Sequence, residues 1–388
     1  MKSVESKSGV YTLCTYRALK ITVNQLETGV RLDLLQLNSA ETKEKKILEK
    51  TFRSHFWSSG LGIGNVSIFE DAFRKYVGSD ECVAVNSGSA ALHLALSLLD
   101  IKNKEVIVPS LTFVSTVHSI LLNGGKPIFV DIESDSLCLD PQMMQKSINK
   151  KTKAILPVHF GGMPADLEVI RDLCNYKISI IEDAAHAIGT IYKNKKIGSH
   201  SIAVCLSFNP TKNLVMPAGG AITLNGKKSN SFKKILNSRR WNGISNRHGT
   251  KYDVKEIGWN YFMNEFSAAM GIEQLKKQNV LTRKRKKIAK RYFQEINIEN
   301  KMQFNKDCSY HLYWIKTKKR KEFMKKMLEN NIQTGIHYQP VHLMSFYNGN
   351  FNLPNTEKAG KEIVSLPMHP NLKDFEISKV IKLTNKFS

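Results

Sequence analysis

Residues 82–130 read CVAVNSGSAALHLALSLLDIKNKEVIVPSLTFVSTVHSILLNGGKPIFV. Three short apolar runs, Cys82–Val85, Glu105–Val108 and Pro127–Val130, alternate here with two helix-length segments, Ser89–Leu99 and Thr112–Leu122. Short apolar runs bounded by turn residues read as buried strands. The pattern continues through Ala154–Val158, Ile178–Ile181, Ala203–Ser207 and Ala221–Leu224, with helix-length stretches such as Asp166–Cys174 between them. Strands alternating with helices predict an α/β fold: a mainly parallel sheet covered by helices on both faces. In such sheets ligands bind at the carboxyl ends of the strands, so functional residues are expected just after the apolar runs.

Outward from this stretch the chain divides into three parts. Residues 1–38 show little periodicity and read as an N-terminal extension, or a partly ordered arm. Residues 39–275 form the expected large domain. It begins with a helix over Ala40–Phe56, a Gly/Ser loop at 58–64 (SSGLGIG), and a helix over Val66–Val77. After Asn260 a helical pattern runs to about Ile296. Residues 276–388 form a smaller α/β domain, with expected strands at His311–Ile315 and Ile336–Tyr338 and a helix at Lys321–Asn330.

Composition narrows the function classes. The 388 residues are 41% hydrophobic and 24% charged, as in an ordinary globular protein. No stretch approaches 18 consecutive apolar residues and no secretory signal is apparent, so no membrane association is expected. Six cysteines lack any C-x-x-C pair, which favours reduced, packed thiols in a cytoplasmic protein and no metal site. The net charge of +24 favours anionic ligands. Its basic runs, Arg283–Arg291 and Lys316–Lys326, carry apolar residues at helical spacing and read as solvated faces of amphipathic helices. No zinc pattern or aromatic-basic RNA signature accompanies them, so nucleic acid is not an expected partner.

Three segments after strands carry chemistry. Asn86–Ala91 (NSGSAA) ends a strand and opens a helix, where free N–H groups and the helix dipole bind phosphate; Ser and Gly also occur there simply as caps. Ile180–His186 (IIEDAAH) places two carboxylates directly after an apolar strand. A buried Asp there can hold a heteroaromatic nitrogen protonated, or it can cap a helix. Ser207–Asn213 (SFNPTKN) places Lys212 in a polar turn past a strand, five residues after Ser207 and ahead of Gly219-Gly220. An imine-forming amine must be partly unprotonated, which burial achieves.

The order phosphate turn, acid, lysine resembles the fold-type-I aminotransferases dependent on pyridoxal 5′-phosphate (PLP). The local sequences are similar to the DegT-type nucleotide-sugar aminotransferase family. The matching segments are SSGLGIG at 58–64, VNSGSAALHLAL at 85–96, EVIVPSLTFVST at 105–116, PVHFGG at 157–162, IEDAAHAIG at 181–189 and SFNPTKNL at 207–214. GWNYFMNEFSAAMGIEQL at 258–275, CSYHLYWI at 308–315, GIHYQPVH at 335–342 and LPMHP at 366–370 follow in order, so the likeness spans roughly residues 40–388.

The resemblance implies roles. Lys212 would be the catalytic, Schiff-base lysine. Asp183 would pair with the pyridine nitrogen, and His186 would contact the phenolic oxygen where the family often has Gln. Phe113 would stack on the ring. Gly88, Ser89 and Ser207 would hold the phosphate, with Asn260 reaching it from the neighbouring subunit of a homodimer. His337, Tyr338 and His342 would line the substrate pocket. The implied reaction is transamination of a keto-sugar nucleotide with L-glutamate as amino donor, in amino-sugar and polysaccharide biosynthesis. The alternatives are another PLP reaction such as dehydration, and a non-catalytic regulator. The dehydrating branch of the group replaces the lysine by His, which Lys212 opposes. Departures from the family pattern are Pro217-Ala218 before Gly219, Phe262 in place of an Arg, and Asn209 in place of a His; they bear on the substrate rather than the cofactor.

Overall fold

The apolar runs of the first two-thirds of the chain pair into one seven-stranded sheet. The computed structural model describes residues 42–175, 177–347 and 349–388, so the expected extension at 1–38 lies outside the described residues. The strands are β1 (Glu81–Val85), β2 (Glu105–Pro109), β3 (Lys126–Val130), β4 (Thr152–Ile155) and β5 (Ser179–Asp183). A two-residue hairpin, β6 (Ile191–Tyr192) with β7 (Lys195–Lys196), precedes β8 (Ala203–Ser207) and β9 (Gly220–Leu224). The sheet order is β1-β9-β8-β5-β4-β2-β3. Only β9 runs against its neighbours; the pairs from β8 through β3 are parallel. The mixed α/β architecture with a mainly parallel sheet is the expected one.

Burial on both faces explains the near-continuous apolar strands. The central face packs Val83, Val106, Val108, Ile181 and Ile222 against Ala91, Leu94 and Ala95 of the helix Gly88–Ser97. That helix is buried over Ala90–Leu96 and so is apolar nearly all round. The helix Glu265–Glu295 begins at Asn264, whose side chain accepts from the Ser267 N–H, and runs unbroken through position 275/276.

The C-terminal part holds the antiparallel pair β12 (Tyr313–Lys316) and β13 (Ile363–Leu366); a further hairpin, β10 (Ile244–His248) and β11 (Lys251–Val254), precedes them. The expected strand at Ile336–Tyr338 is corrected. Only Gly335 bridges to Ser365, and the chain then turns away through Pro340, which lacks an N–H to donate. The His337 and Tyr338 side chains are engaged elsewhere. The basic runs lie mostly on helix faces: Arg283, Lys284, Lys287 and Lys290 are exposed but Arg285 is buried, and the second run starts with Lys316 at the end of β12 before entering the helix Arg320–Glu329, whose Phe323 and Met327 are buried. Cys82, Cys138, Cys174, Cys205 and Cys308 are free and buried; Cys14 lies outside the described residues. Among the described residues no helix is long and apolar enough to cross a membrane. The same residues contain no group of three or more His, Cys, Asp or Glu placed to hold a metal.

Candidate active site

Three strand ends meet at one edge of the sheet. β1 leads into the Asn86–Ser89 turn, β5 ends on Asp183, and β8 ends on Ser207. The turn is built by Ser87, whose hydroxyl caps the helix Gly88–Ser97 by accepting from the Ala90 N–H at 3.1 Å. Ser87 is thus committed to the helix, while the first-turn N–H groups of Gly88 and Ser89 have no intrahelical partner. A Cβ on Gly88 would lie 2.7 Å from the Ser207 Cβ. Only glycine lets the turn approach Ser207 so closely.

Asp183 is buried, and both of its oxygens are held. The Thr116 hydroxyl donates to Oδ2 at 2.7 Å, and the Ala185 N–H donates to Oδ1 at 3.1 Å. Thr116 spends its one proton on Asp183, so the 2.8 Å contact with Thr112 has Thr112 as donor. Beneath Asp183, Glu182 is fully buried and accepts from His159 Nε2 at 2.8 Å. Burial alone would raise the Glu182 carboxyl; the hydrogen bond from His159, helped by Ser201, outweighs it and holds it below its ordinary value.

Lys212 lies in the turn between β8 and β9. Its backbone N–H donates to the Asn209 carbonyl at 2.8 Å, and the Phe208 N–H donates to the Gly219 carbonyl at 2.9 Å. Burial brings the Lys212 amine down to about 8, opposed by the Asp183 carboxylate. The neutral fraction near neutral pH is minor but far above that of an ordinary lysine, which suits an imine-forming amine.

Aromatic groups wall the cleft. Phe113 is 54% exposed, and its ring centroid lies 5.9 Å from that of Tyr338. The Tyr338 hydroxyl is 3.0 Å from His186 Nε2. His186 is buried, its ring lies tilted 4.3 Å from that of His311, and its Nδ1 accepts from the Gly161 N–H at 3.3 Å. Burial, with Lys212 and His337 close by, holds His186 well below its ordinary value. Burial and Lys212 likewise lower His337 to about 4, and its Nδ1 is 2.9 Å from the Ser365 hydroxyl.

The structure therefore brings Gly88 to Ser207, and gathers Lys212, Asp183, His186, His337, Tyr338 and Phe113 into one linked group. Ser89 is exposed at the helix start. Asn260 is exposed, and its carbonyl accepts from the Asn86 side chain of the same chain at 3.2 Å. His342 is buried; its N–H donates to the Ser110 hydroxyl at 3.0 Å and its Nδ1 lies 2.6 Å from the same oxygen. Sequence reading missed Thr116, His159, Gly161 and His311. All four sit in segments singled out by their motifs, but each acts through a residue remote in sequence.

These residues fit PLP. The buried Asp183 carboxylate could hold a ring nitrogen, the half-buried Lys212 amine could take the aldehyde, and the glycine-gated helix start could offer N–H groups to the phosphate.

The DegT/DnrJ/EryC1/StrS aminotransferase family model matches residues 38–384. The spore coat polysaccharide biosynthesis protein SpsC of Bacillus subtilis is 34% identical over 364 residues, covering 88% of this chain and 93% of SpsC. Among solved structures, Helicobacter pylori PseC, an aminotransferase involved in the biosynthesis of pseudoaminic acid, superposes with a TM-score of 0.86. It is 25% identical and covers 92% of this chain and 99% of its own. DesV of S. venezuelae is 29% identical with a TM-score of 0.82, over 88% and 93% of the two chains. The protein belongs to the DegT/DnrJ/EryC1/StrS family and is a PLP-dependent aminotransferase.

Proposed function

We propose that the chain transfers the amino group of L-glutamate to a keto-sugar nucleotide, giving an amino-sugar nucleotide and 2-oxoglutarate. The observation that carries this reading is the Lys212 amine, lowered to about 8 and within the field of Asp183. A lysine at this place supports transamination over dehydration. The similarity to PseC and SpsC supports a sugar acceptor in surface-polysaccharide chemistry. The +24 charge favours an acceptor carrying phosphates.

PLP, when bound, supplies an electron sink for the pair released as the amino donor loses its α-proton. In this reading Lys212 carries the cofactor, and its Nζ afterwards accepts that α-proton. Asp183, immobilised by Thr116 and Ala185, keeps the ring nitrogen protonated through a charge-assisted hydrogen bond. Gly88, Ser89 and Ser207 would hold the phosphate, with Asn260 as a further contact, and Phe113 would pack on the ring. His186 stands at the phenolic-oxygen side. His337 and Tyr338 flank the substrate, and His342 supports their loop from Ser110. Ala218, exposed beside this turn, and Phe262 bear on the choice of acceptor.

We further propose a cytoplasmic homodimer and a division into 39–275 and 276–388. Exposed Phe52, Trp57, Leu61, Ile63 and Ile68 support a subunit interface. The separate β12–β13 pair supports the smaller unit. The test is a spectrum of the purified protein with and without L-glutamate, then product analysis with keto-sugar nucleotides. Glutamate-dependent bleaching of the bound-cofactor band and an aminated product are expected. A deoxy-keto product instead would assign dehydration, and no response to glutamate would assign another amino donor.

A further inference from the structure

We infer that His311 and the Gly161 peptide lock His186 into one tautomer, and that this makes the Tyr338 hydroxyl a hydrogen-bond donor to a ligand oxygen. The inference rests on the reading of this cleft as the transamination site.

The proton count follows from one backbone contact. The Gly161 N–H is a donor and nothing else, so the His186 Nδ1 that it meets at 3.3 Å carries no proton. A neutral imidazole then carries its proton on Nε2. That proton points at the Tyr338 oxygen 3.0 Å away, so the phenol accepts this bond. The phenol's own proton has no acceptor among the described residues. It is free for a carbonyl or phenolate oxygen in the cleft. The environment keeps both groups in these forms. Burial, Lys212 and His337 disfavour an imidazolium at His186, while burial and the Asp183 charge keep the Tyr338 phenol protonated.

His311 braces the ring from behind. Its imidazole is buried and tilted 39° against His186. Its backbone N–H donates to the Gly161 carbonyl at 2.9 Å, so one residue, through the two peptide groups that flank its Cα, contacts both histidines. Gly161 sits at φ 63°, in the left-handed region that favours glycine. Tyr310, before His311, is also left-handed at φ 51°, and the buried Arg285 guanidinium donates to its carbonyl at 3.3 Å. His311 is a positioning residue in this scheme; Tyr338 is the group that touches the ligand.

The experiment is nitrogen NMR of the full-length holoenzyme with ¹⁵N-labelled histidine, at neutral pH. The expected His186 signals are one bare Nδ1 and one protonated Nε2. A proton on Nδ1, or on both nitrogens, overturns the proposal. His311→Ala should give two exchanging tautomers, and His311→Phe, which keeps a ring there, should restore one. An unchanged single tautomer in His311→Ala overturns the part given to His311. If that variant does not fold, the wild-type and His311→Phe spectra still decide. Tyr338→Phe should lower kcat on the order of 10-fold or more with little change in KM. A loss confined to KM overturns the donor role. Full activity in Lys212→Ala would defeat the reading of the cleft instead, while the tautomer would still be tested by the histidine spectrum alone.

Discussion

The Thr116 hydroxyl donates to Asp183 Oδ2 at 2.7 Å, tying the helix Val114–Leu122 to the last residue of β5. With the Ala185 N–H on the other oxygen, the carboxylate is fixed before any ligand arrives, and preorganised charge is worth more than charge that must reorient. Asp183→Asn should retain cofactor binding but slow α-proton removal by at least about 100-fold, because a neutral amide cannot hold the ring nitrogen protonated. Thr116→Val leaves the charge and removes its tether, so a smaller fall, about 10-fold, is expected. Single-turnover kinetics with L-glutamate measure both. An undiminished rate in Asp183→Asn contradicts the assigned role.

Lys212 sets a pH dependence whose sign is determined. Burial lowers the amine to about 8, so it is charged below that pH and neutral above it. Recapture of PLP by cofactor-stripped enzyme should therefore accelerate as pH rises and level off above about 8. Asp183 opposes the shift by favouring the charged amine. Asp183→Asn should consequently move the profile to lower pH. Stopped-flow absorbance across a pH series reads this directly, and a flat profile would count against an imine-forming Lys212. Lys212→Ala should show no covalent cofactor and no turnover.

Legibility from sequence tracked how local each feature was. The sheet strands were visible because each is a compact apolar run, such as the wholly buried β9. The hairpin β10–β11 was invisible because Ile244–His248 and Lys251–Val254 are polar and largely exposed, with no alternation to read. Ile336–Tyr338 looked like a strand from three residues, yet its outcome was decided by Pro340 and by the pull of His186 and Ser365 on its side chains. Asp183 and Lys212 were found because Asp183 ends one apolar strand and Lys212 lies in the polar turn just past another. Thr116 was not, because its partner is 67 residues away. In the Asn86–Ala91 segment the sequence allowed both phosphate binding and capping, and Ser87 proves to be the cap.

His159 and Glu182 form a buried pair whose removal should be costly. The Ala165 N–H donates to His159 Nδ1 at 3.0 Å, leaving Nε2 as the donor to Glu182. His159→Phe strands a buried carboxylate and should destabilise the fold by roughly 3–5 kcal/mol. Adding Glu182→Gln should recover part of that loss. The pH behaviour separates the variant from wild type. Wild-type Glu182 is held below its ordinary value, so its stabilisation is present above the unfolded carboxylate range and lost as pH falls through the folded pKa. In His159→Phe the main opposition to burial is gone, with Ser201 left to favour the carboxylate, so the carboxyl's pKa rises and protonation relieves the variant. The gap between the two melting curves should narrow toward acid, and a gap constant with pH would contradict the pairing.

Gly88 and Ser207 make the last test, one of space rather than charge. A methyl group at Gly88 would sit 2.7 Å from the Ser207 Cβ and 3.3 Å from its Cα. Gly88→Ala must push the Asn86–Ser89 turn away from β8, at a cost of about 1–3 kcal/mol. The same displacement moves the helix-start N–H groups, so PLP affinity should fall along with stability. Ser207→Gly in the same chain removes the obstacle. The double variant should regain most of its melting temperature but not its affinity, because the Ser207 hydroxyl is gone as well. Residues in contact are coupled, so the two substitutions should be non-additive in stability. Thermal melts and PLP titrations of the two single variants and the double one complete the cycle. Additive melting shifts would mean that the turn does not rest on Ser207.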